Sequence, residues 1–467
     1  MRFWIGVENF AKIESARVCI NNYTLFVGPN NSGKTFLMQL IQGLSDKITR
    51  LLDEDVMDIV LAEKIEGYSK YLINKDNIVQ FTECINKKLH LKKEQIIEDI
   101  FKKTIPIEKL YIDVELENNS FYKIDITDNK CLENEKIRKL FGQQLFSYGS
   151  LKNIDKLINI GVLSEVKEQK ENALVASTHL SPAKDTKKFI FRDMLRNIFE
   201  KSSLFLPASR TGLMLLYRDF FANKTDDAIS YRVAENRLVQ DNGQYNGLTQ
   251  PVYDFLRFLQ TYSEDEKKYE TYKNELSFFE DKIIEGHINT NKYGNFSYNP
   301  KNDYNNIIPM YLASAMVNEV TPLVLALTSE TRYERLIIDE VEASLHPEKQ
   351  LELVRFLNRL NNAGINIILS THSDTFVSKL NNLYVLSKYI KENSNNEIEK
   401  YFHLEKEDLI KSENLFVYEF ILQPNGKSIV KEIIPDSRTG FQFDLFTKSA
   451  MELYNEALRL GEINVNV

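Results

Sequence analysis

The chain has 467 residues, 43% of them hydrophobic, enough to bury one large core or two modest ones. No run of eighteen apolar residues occurs, which excludes a transmembrane helix, and the opening "MRFWIGVENF" has neither the apolar stretch nor the cleavage site of a signal peptide. A formal net charge of −8 argues against strong sequence-independent binding of duplex nucleic acid, and Cys19, Cys84 and Cys131 are too dispersed for a metal pair or a disulfide framework, so a reduced, cytoplasmic setting is expected.

In chain order, the first element is "YTLFV", apolar and β-branched enough for a buried strand ending at Gly28. "GPNNSGKT" follows, and then "KTFLMQLIQGL", where Phe36, Leu37, Leu40 and Ile41 recur at helical spacing. A Gly-x-x-x-x-Gly-Lys-Thr run between a strand and a helix is a phosphate cradle. Backbone N–H groups from Asn30 to Thr35 point inward, and the helix dipole adds positive potential there. The candidate phosphate-binding residues are therefore Gly28, Pro29, Asn30, Asn31, Ser32, Gly33, Lys34 and Thr35. Lys34 supplies charge to the β- and γ-phosphates, and the Thr35 hydroxyl can ligate Mg²⁺.

Between this loop and the next informative segment lie about 300 residues, far more than a minimal nucleotide-binding domain needs, and neither 45–105 nor 212–300 sustains coiled-coil heptads. The basic runs at 87–93 and 184–196 read as solvated helix faces. "KLYIDVELENNSFYKIDITDNK" alternates around Asn118-Asn119-Ser120 and reads as a hairpin of an antiparallel sheet. Residues 131–200 read as mainly helical, 212–286 as helices of a lid or partner-binding arm, and 288–306 as a return loop. Arg210, just after a predicted strand in "PASRTG", is open to two roles, a phosphate contact or a structural ion pair.

"RLIIDEVEASLHPEKQLELVRFLNRLNNAGINIILSTHSD" holds the second half of the site. Leu336, Ile337 and Ile338 make a short buried strand that ends in Asp339 and Glu340. Adjacent side chains at a strand end diverge, so Asp339 is assigned to the metal and Glu340 to deprotonating an attacking water. A helix with Leu353, Val354, Leu357 and Leu360 on one face stops near Gly364. The next strand, through Ile365, Ile367, Ile368 and Leu369, leads to His372, placed to sense the γ-phosphate. Beyond it, 415–434 reads as a hairpin around Asn425-Gly426 and 443–460 as an amphipathic helix.

"LFVGPNNSGKT", "LIIDEVEASLHP" and "ILSTHS" together resemble the ABC-type ATPase heads of the SMC, RecF and OLD (overcoming lysogenization defect) group. The opening strands with Asn9-Phe10 resemble the two-stranded entry of those heads, and "LFLPASRTGL" and "IIPMYLASAMVNEVTPLVLAL" narrow the resemblance to OLD-like ATPases. It implies an α/β P-loop NTPase of ABC-ATPase type, a mixed sheet plus a parallel core sheet flanked by helices. The head would span 1–211 and 300–390, with helical insertions at about 46–105 and 131–199. A helical arm or lid would occupy 212–299, and a hairpin and helix at 391–467 would complete the head.

The resemblance also implies ATP and Mg²⁺ as ligands, and a dimer or higher oligomer with ATP sandwiched between copies. Ser314 would reach the partner's nucleotide, and Ser344 and His346 would lie at the seam. The usual Ser-Gly-Gly signature is Ser314-Ala315 here, so that a core helix of Met316, Val317, Val320 and Leu323, broken by Pro322, is the other reading of that stretch. About 80 residues follow the head, without the Asp-x-Asp of a Toprim nuclease. The implied role is therefore control of a separate effector, a nuclease or toxin, as in the anti-phage systems PARIS and Septu. A DNA-repair head of RecF type and a non-hydrolysing scaffold are the rival readings. Nucleic acid is not indicated by the net charge, and no membrane partner is expected.

Overall fold

The computed structural model describes residues 2–20, 22–48, 62–65, 68–73, 75–115, 120–128, 156–164, 174–177, 202–208, 210–233, 247–290, 295–303, 306–393, 401–410, 415–436 and 438–465. In chain order the elements are β1 (Arg2–Phe10), β2 (Ile13–Cys19), β3 (Tyr23–Val27), α1 (Lys34–Ile48), β4 (Ala62–Ile65), β5 (Tyr68–Ile73), α2 (Lys75–Phe101), β6 (Lys109–Glu115), β7 (Ser120–Asp128), β8 (Lys156–Ser164) and β9 (Leu174–Ser177). Next come β10 (Ser203–Leu206), α3 (Arg210–Val233), α4 (Gln250–Gln260), α5 (Glu266–Thr271), α6 (Lys273–Phe279), β11 (Gly286–Thr290), β12 (Phe296–Pro300), β13 (Ile308–Pro309) and α7 (Ala315–Thr328). The last are β14 (Arg335–Ile338), α8 (Pro347–Asn362), β15 (Asn366–Thr371), α9 (Asp374–Asn393), β16 (Leu415–Leu422), β17 (Ser428–Glu432) and α10 (Asp444–Val465). Among the described residues no helix is long and apolar enough to cross a membrane.

The chain divides into two compact units, one of Met1–Ile5, Ser45–Lys93 and Leu110–Lys201, the other of Gly6–Leu44, Glu94–Lys109 and Ser202–Val467. The second, larger unit carries most of a nine-stranded sheet of order β10-β14-β15-β3-β16-β17-β2-β1-β6. Its centre is parallel: β10 with β14, β14 with β15, β15 with β3, and β3 with β16. Every residue of β3, β14 and β15 is buried, so both faces of these strands are covered and their apolar residues run consecutively rather than alternating. The parallel register brings Leu206, Ile338, Thr371 and Val27 to the same edge of the sheet. A crevice outside the carboxyl ends of such strands is where ligands of open α/β sheets bind.

The helices between β10 and β11 are not a free arm. On α4, Phe255, Leu256, Phe258 and Leu259, and on α6, Leu276 and Phe279, share one buried cluster with Leu25 and Val27 of β3 and with Leu336, Ile338, Leu353 and Leu357. The lid expected over 212–299 is thus a layer of the core from Gln250 to Phe279, followed by the paired strands β11 and β12. Tyr and Phe in this stretch are what a helix needs to cover a sheet, and their density, more than the accompanying Glu and Lys, decides where it sits. In the same unit β16 and β17 form the expected C-terminal hairpin, and α10 follows it.

The smaller unit holds a five-stranded antiparallel sheet of order β4-β5-β7-β8-β9. This corrects two expectations of helical insertion. Over 46–105 the chain is helical from Lys75 to Phe101 but forms strands at 62–65 and 68–73, and within 131–199 it forms β8 and β9, the rest of that stretch lying outside the described residues. The expected hairpin over 109–130 is also corrected: β6 belongs to the nine-stranded sheet, whereas β7 pairs with β5 and β8. Alternation marks a strand without naming its partner. The register sets Ile124 opposite Tyr71 and Ile160, apolar or aromatic residues on all three strands. Of the two basic runs, 87–93 lies in α2 with Lys87, His90 and Lys92 exposed, and 184–196 falls outside the described residues.

Candidate functional site

At the end of β3 the chain turns through Gly28 at φ 148°, and a Cβ there would stand 2.8 Å from the Cβ of Phe420 on β16. Gly33, at φ 100°, lies so close to Ile13 that a Cβ would meet it at 2.9 Å. Both positions need glycine, for backbone angle and for space. The loop then enters α1, whose first residues are Lys34 and Thr35. The Lys34 ammonium folds back across the loop and donates to the carbonyl oxygens of Gly28 (3.0 Å) and Pro29 (2.9 Å). Burial pulls its pKa down from the ordinary lysine range to about 8, against the opposing pull of Asp339, Glu340 and Glu342.

The acidic strand end stands at the same place. Thr35 Oγ1 donates to Asp339 Oδ2 at 2.6 Å, across 304 residues of sequence. The other carboxylate oxygen of Asp339 accepts from Ser370 Oγ at 2.5 Å. That same hydroxyl oxygen accepts the N–H of Glu340 at 2.9 Å, so Ser370 of β15 fixes both acidic residues of the neighbouring strand. Glu340 has φ 48°, a left-handed backbone uncommon for a residue with a side chain and frequent at functional turns. Its carboxyl is half-buried and its pKa is raised, by desolvation first and then by repulsion from Asp339 and Glu342, with Lys34 and Arg210 pulling the other way.

His372 follows β15. Its backbone N–H donates to Glu342 Oε1 at 2.5 Å, which ties the loop after Glu340 to the end of the neighbouring strand. Burial, followed by the charge of Lys34, pushes its imidazole down to about 4, so at neutral pH the ring is an uncharged donor and acceptor. Ser314 stands apart from these residues. It is exposed, it caps α7 by accepting the Val317 N–H at 3.3 Å, and none of its hydrogen bonds reaches residues 28–35. The helix it starts is buried from Val317 to Thr328 and runs unbroken through Pro322, since packing on all sides offsets the lost N–H. Ser344, at φ 60°, and His346, the cap of α8, are also exposed.

Arg210 takes the structural of its two open roles. Its side chain is 2% exposed, and its nitrogens donate to the carbonyl oxygens of Glu319, Pro207, Asp339 and Glu340. It also pairs with Glu319 Oε1 at 2.7 Å. These four hydrogen bonds and the ion pair are all made to protein oxygens. Sequence reasoning missed Ser370, Glu342 and Glu319. For the first two the signal was adjacency, within "STHS" and "DEVE"; Glu319 lies in a helix far from either motif and gave none. A cavity of about 800 Å³ lies elsewhere, lined among others by Tyr217, Arg218, Asn289, Asn299 and Tyr311, and includes none of these residues.

Residues 4–377 match the family model described as AAA ATPase domain. The chain belongs to that family. This AAA ATPase domain therefore has an ATP-binding fold, with the loop 28–35 at the carboxyl edge of its parallel strands. Among solved structures it is similar to an SMC head domain from Thermotoga maritima, at 10% identity and a TM-score of 0.32, covering 93% of this chain and 100% of that one. It is also similar to the Smc head from Pyrococcus furiosus bound to the C-terminal domain of ScpA, at 9% identity and a TM-score of 0.33, covering 97% and 98%. Similarity at this level assigns no residue a role. No curated protein matches the sequence.

The Lys34 pKa of the AAA ATPase domain has a measurable consequence. Its charged form is present below about 8 and is lost as pH rises through that value, and a polyphosphate binds the charged form. The apparent Kd for ATP should therefore rise about tenfold between pH 7 and pH 9, whereas Lys34→Arg, which stays charged, should give a flat profile. Titration of a fluorescent ATP analogue at both pH values checks this, and a flat wild-type profile would contradict it.

Proposed function

We propose that this AAA-family chain hydrolyses ATP between the loop 28–35 and the Asp339–Glu340 strand end, in an assembly that a second copy completes, and that its ATP state controls a separate effector protein in bacterial defence against phage. The observation that carries the catalytic part is the Thr35–Asp339 hydrogen bond. It brings a hydroxyl and a carboxylate together as oxygen donors, the type Mg²⁺ takes. No group of three or more His, Cys, Asp or Glu among the described residues forms a ready-made metal cage. Two protein oxygens suffice when the substrate's phosphates supply the others.

In this reading the N–H groups of 30–35 and the Lys34 ammonium hold the β- and γ-phosphates. Thr35 and Asp339 would hold Mg²⁺, which supplies charge neutralisation at the phosphates when bound. Glu340, its carboxyl already favouring the proton more than an exposed glutamate does, takes a proton from the attacking water. Neutral His372 donates to the γ-phosphate and so distinguishes ATP from ADP. Exposed Ser314, with the N-terminus of α7 behind it, faces the second copy's phosphates. Effector control and the defence role rest on the OLD-like sequence motifs alone.

Phosphate release and molar mass, measured together, test the proposal. Purified chain with Mg-ATP should release phosphate and shift from one copy to two or more, with EDTA abolishing both. A chain that neither binds nor hydrolyses ATP sinks the reading; one that hydrolyses as a monomer removes the second copy from it.

A further inference from the structure

Arg210 is buried among backbone oxygens, an unusual place for the most hydrophilic side chain. Two of its partners, the carbonyls of Asp339 (2.7 Å) and Glu340 (3.2 Å), belong to the residues assigned to metal and water. Two others, the carbonyl and carboxylate of Glu319, belong to α7. Glu319 is held in turn from its second oxygen, which accepts from the N–H (3.2 Å) and hydroxyl (2.5 Å) of Thr211. The guanidinium thus joins three segments: the start of α3, the first turns of α7, and the backbone of the acidic strand end. A rigid five-donor fork can do this, and a lysine cannot.

We infer that Arg210 is a positioning residue that locks the backbone of Asp339 and Glu340 to α7 through Glu319. The inference rests on the ATPase reading above and deepens it. Glu319 lies five residues after Ser314 on the same helix. A push on the exposed N-terminus of α7 is therefore delivered to the acidic strand end of the same chain by direct hydrogen bonds. The residue touches neither substrate nor metal; it sets where Glu340 stands. Elsewhere in the fold the Arg355–Asp408–Arg359 cluster is less deeply buried and joins α8 to the segment around Asp408 and to Phe278 of α6, and none of these contacts reaches a candidate site residue.

Two variants separate positioning from mere stability. Arg210→Met/Glu319→Met deletes both charges together, leaving no buried ion unpaired, a change that cores often accept. Arg210→Lys keeps a charge beside Glu319 but cannot serve all the carbonyls. Melting temperature, Kd for ATP and kcat are measured for each. Variants that melt cooperatively should keep Kd within about threefold of wild type and lose at least about tenfold in kcat. A purely structural role would move the melting temperature alone.

A folded variant with wild-type kcat overturns the inference while leaving the ATPase reading intact. A wild-type chain without ATP binding or hydrolysis overturns both. Should neither Arg210 variant fold, Thr211→Val, which removes the hydroxyl that donates to Glu319 and, at 3.4 Å, to the Ala315 carbonyl of the same helix, carries the test, with a kcat loss of about threefold expected and an unchanged kcat refuting.

Discussion

Glu340→Gln should lower the rate of ATP hydrolysis by about 10²–10³-fold while leaving the Kd for ATP within about threefold of wild type. Glutamine keeps the length and shape of the side chain, and the backbone at φ 48° is held by the Ser370 hydroxyl and by Arg210, not by the carboxylate. What is lost is the proton acceptor proposed above. A site that binds ATP and cannot cleave it should accumulate the ATP-bound assembly, so the variant should remain at the larger molar mass with Mg-ATP long after wild type has returned to the smaller one. Single-turnover phosphate release and light scattering measure the two effects. A variant that cleaves ATP at the wild-type rate would remove Glu340 from the chemistry and leave Glu342, whose Oε2 is buried without a hydrogen-bond partner among the described residues, as the next carboxylate to examine.

The strand–loop–helix at 28–35 was legible because its signal is local. Glycine at 28 and 33 is required by backbone angle and space, and Lys34 and Thr35 follow within the same eight consecutive residues. Asp339 and Glu340 were legible for a similar reason, an apolar strand with two acids at its end. That Thr35 and Asp339 would touch followed only from two strands sharing one sheet edge, a tertiary fact that short motifs encode indirectly.

The misreadings have the opposite character. β6 and β7 alternate clearly, but the choice of neighbour depends on two different sheets, and the one that takes β7 is assembled from three separated segments. The helices from Gln250 to Phe279 look like an arm when charge is counted and like a core layer when Phe255 and Phe279 are placed. Arg210 could not be resolved from sequence at all, since its partners are mostly main-chain oxygens, which every residue carries.

Lys34→Ala should weaken ATP binding by about 100-fold or more. Around the loop stand the carboxylates of Asp339, Glu340 and Glu342, and Arg210 is fully engaged with protein oxygens. Among the described residues Lys34 is thus the cation these contacts leave for an incoming triphosphate, and without it a polyanion meets carboxylates. The loop itself should survive. The substitution removes a desolvated ammonium, and the Gly28 and Pro29 carbonyls it served lie next to the partly exposed turn at 29–31, where water can replace it. Melting within a few degrees of wild type, together with the weakened binding seen by calorimetry, would locate the effect in recognition. Unchanged affinity would remove the loop from the site. The contrast with Glu340→Gln is what gives the pair its force: one substitution should prevent the ATP-dependent assembly from forming and the other should prevent it from resolving, and no single change in stability can produce both.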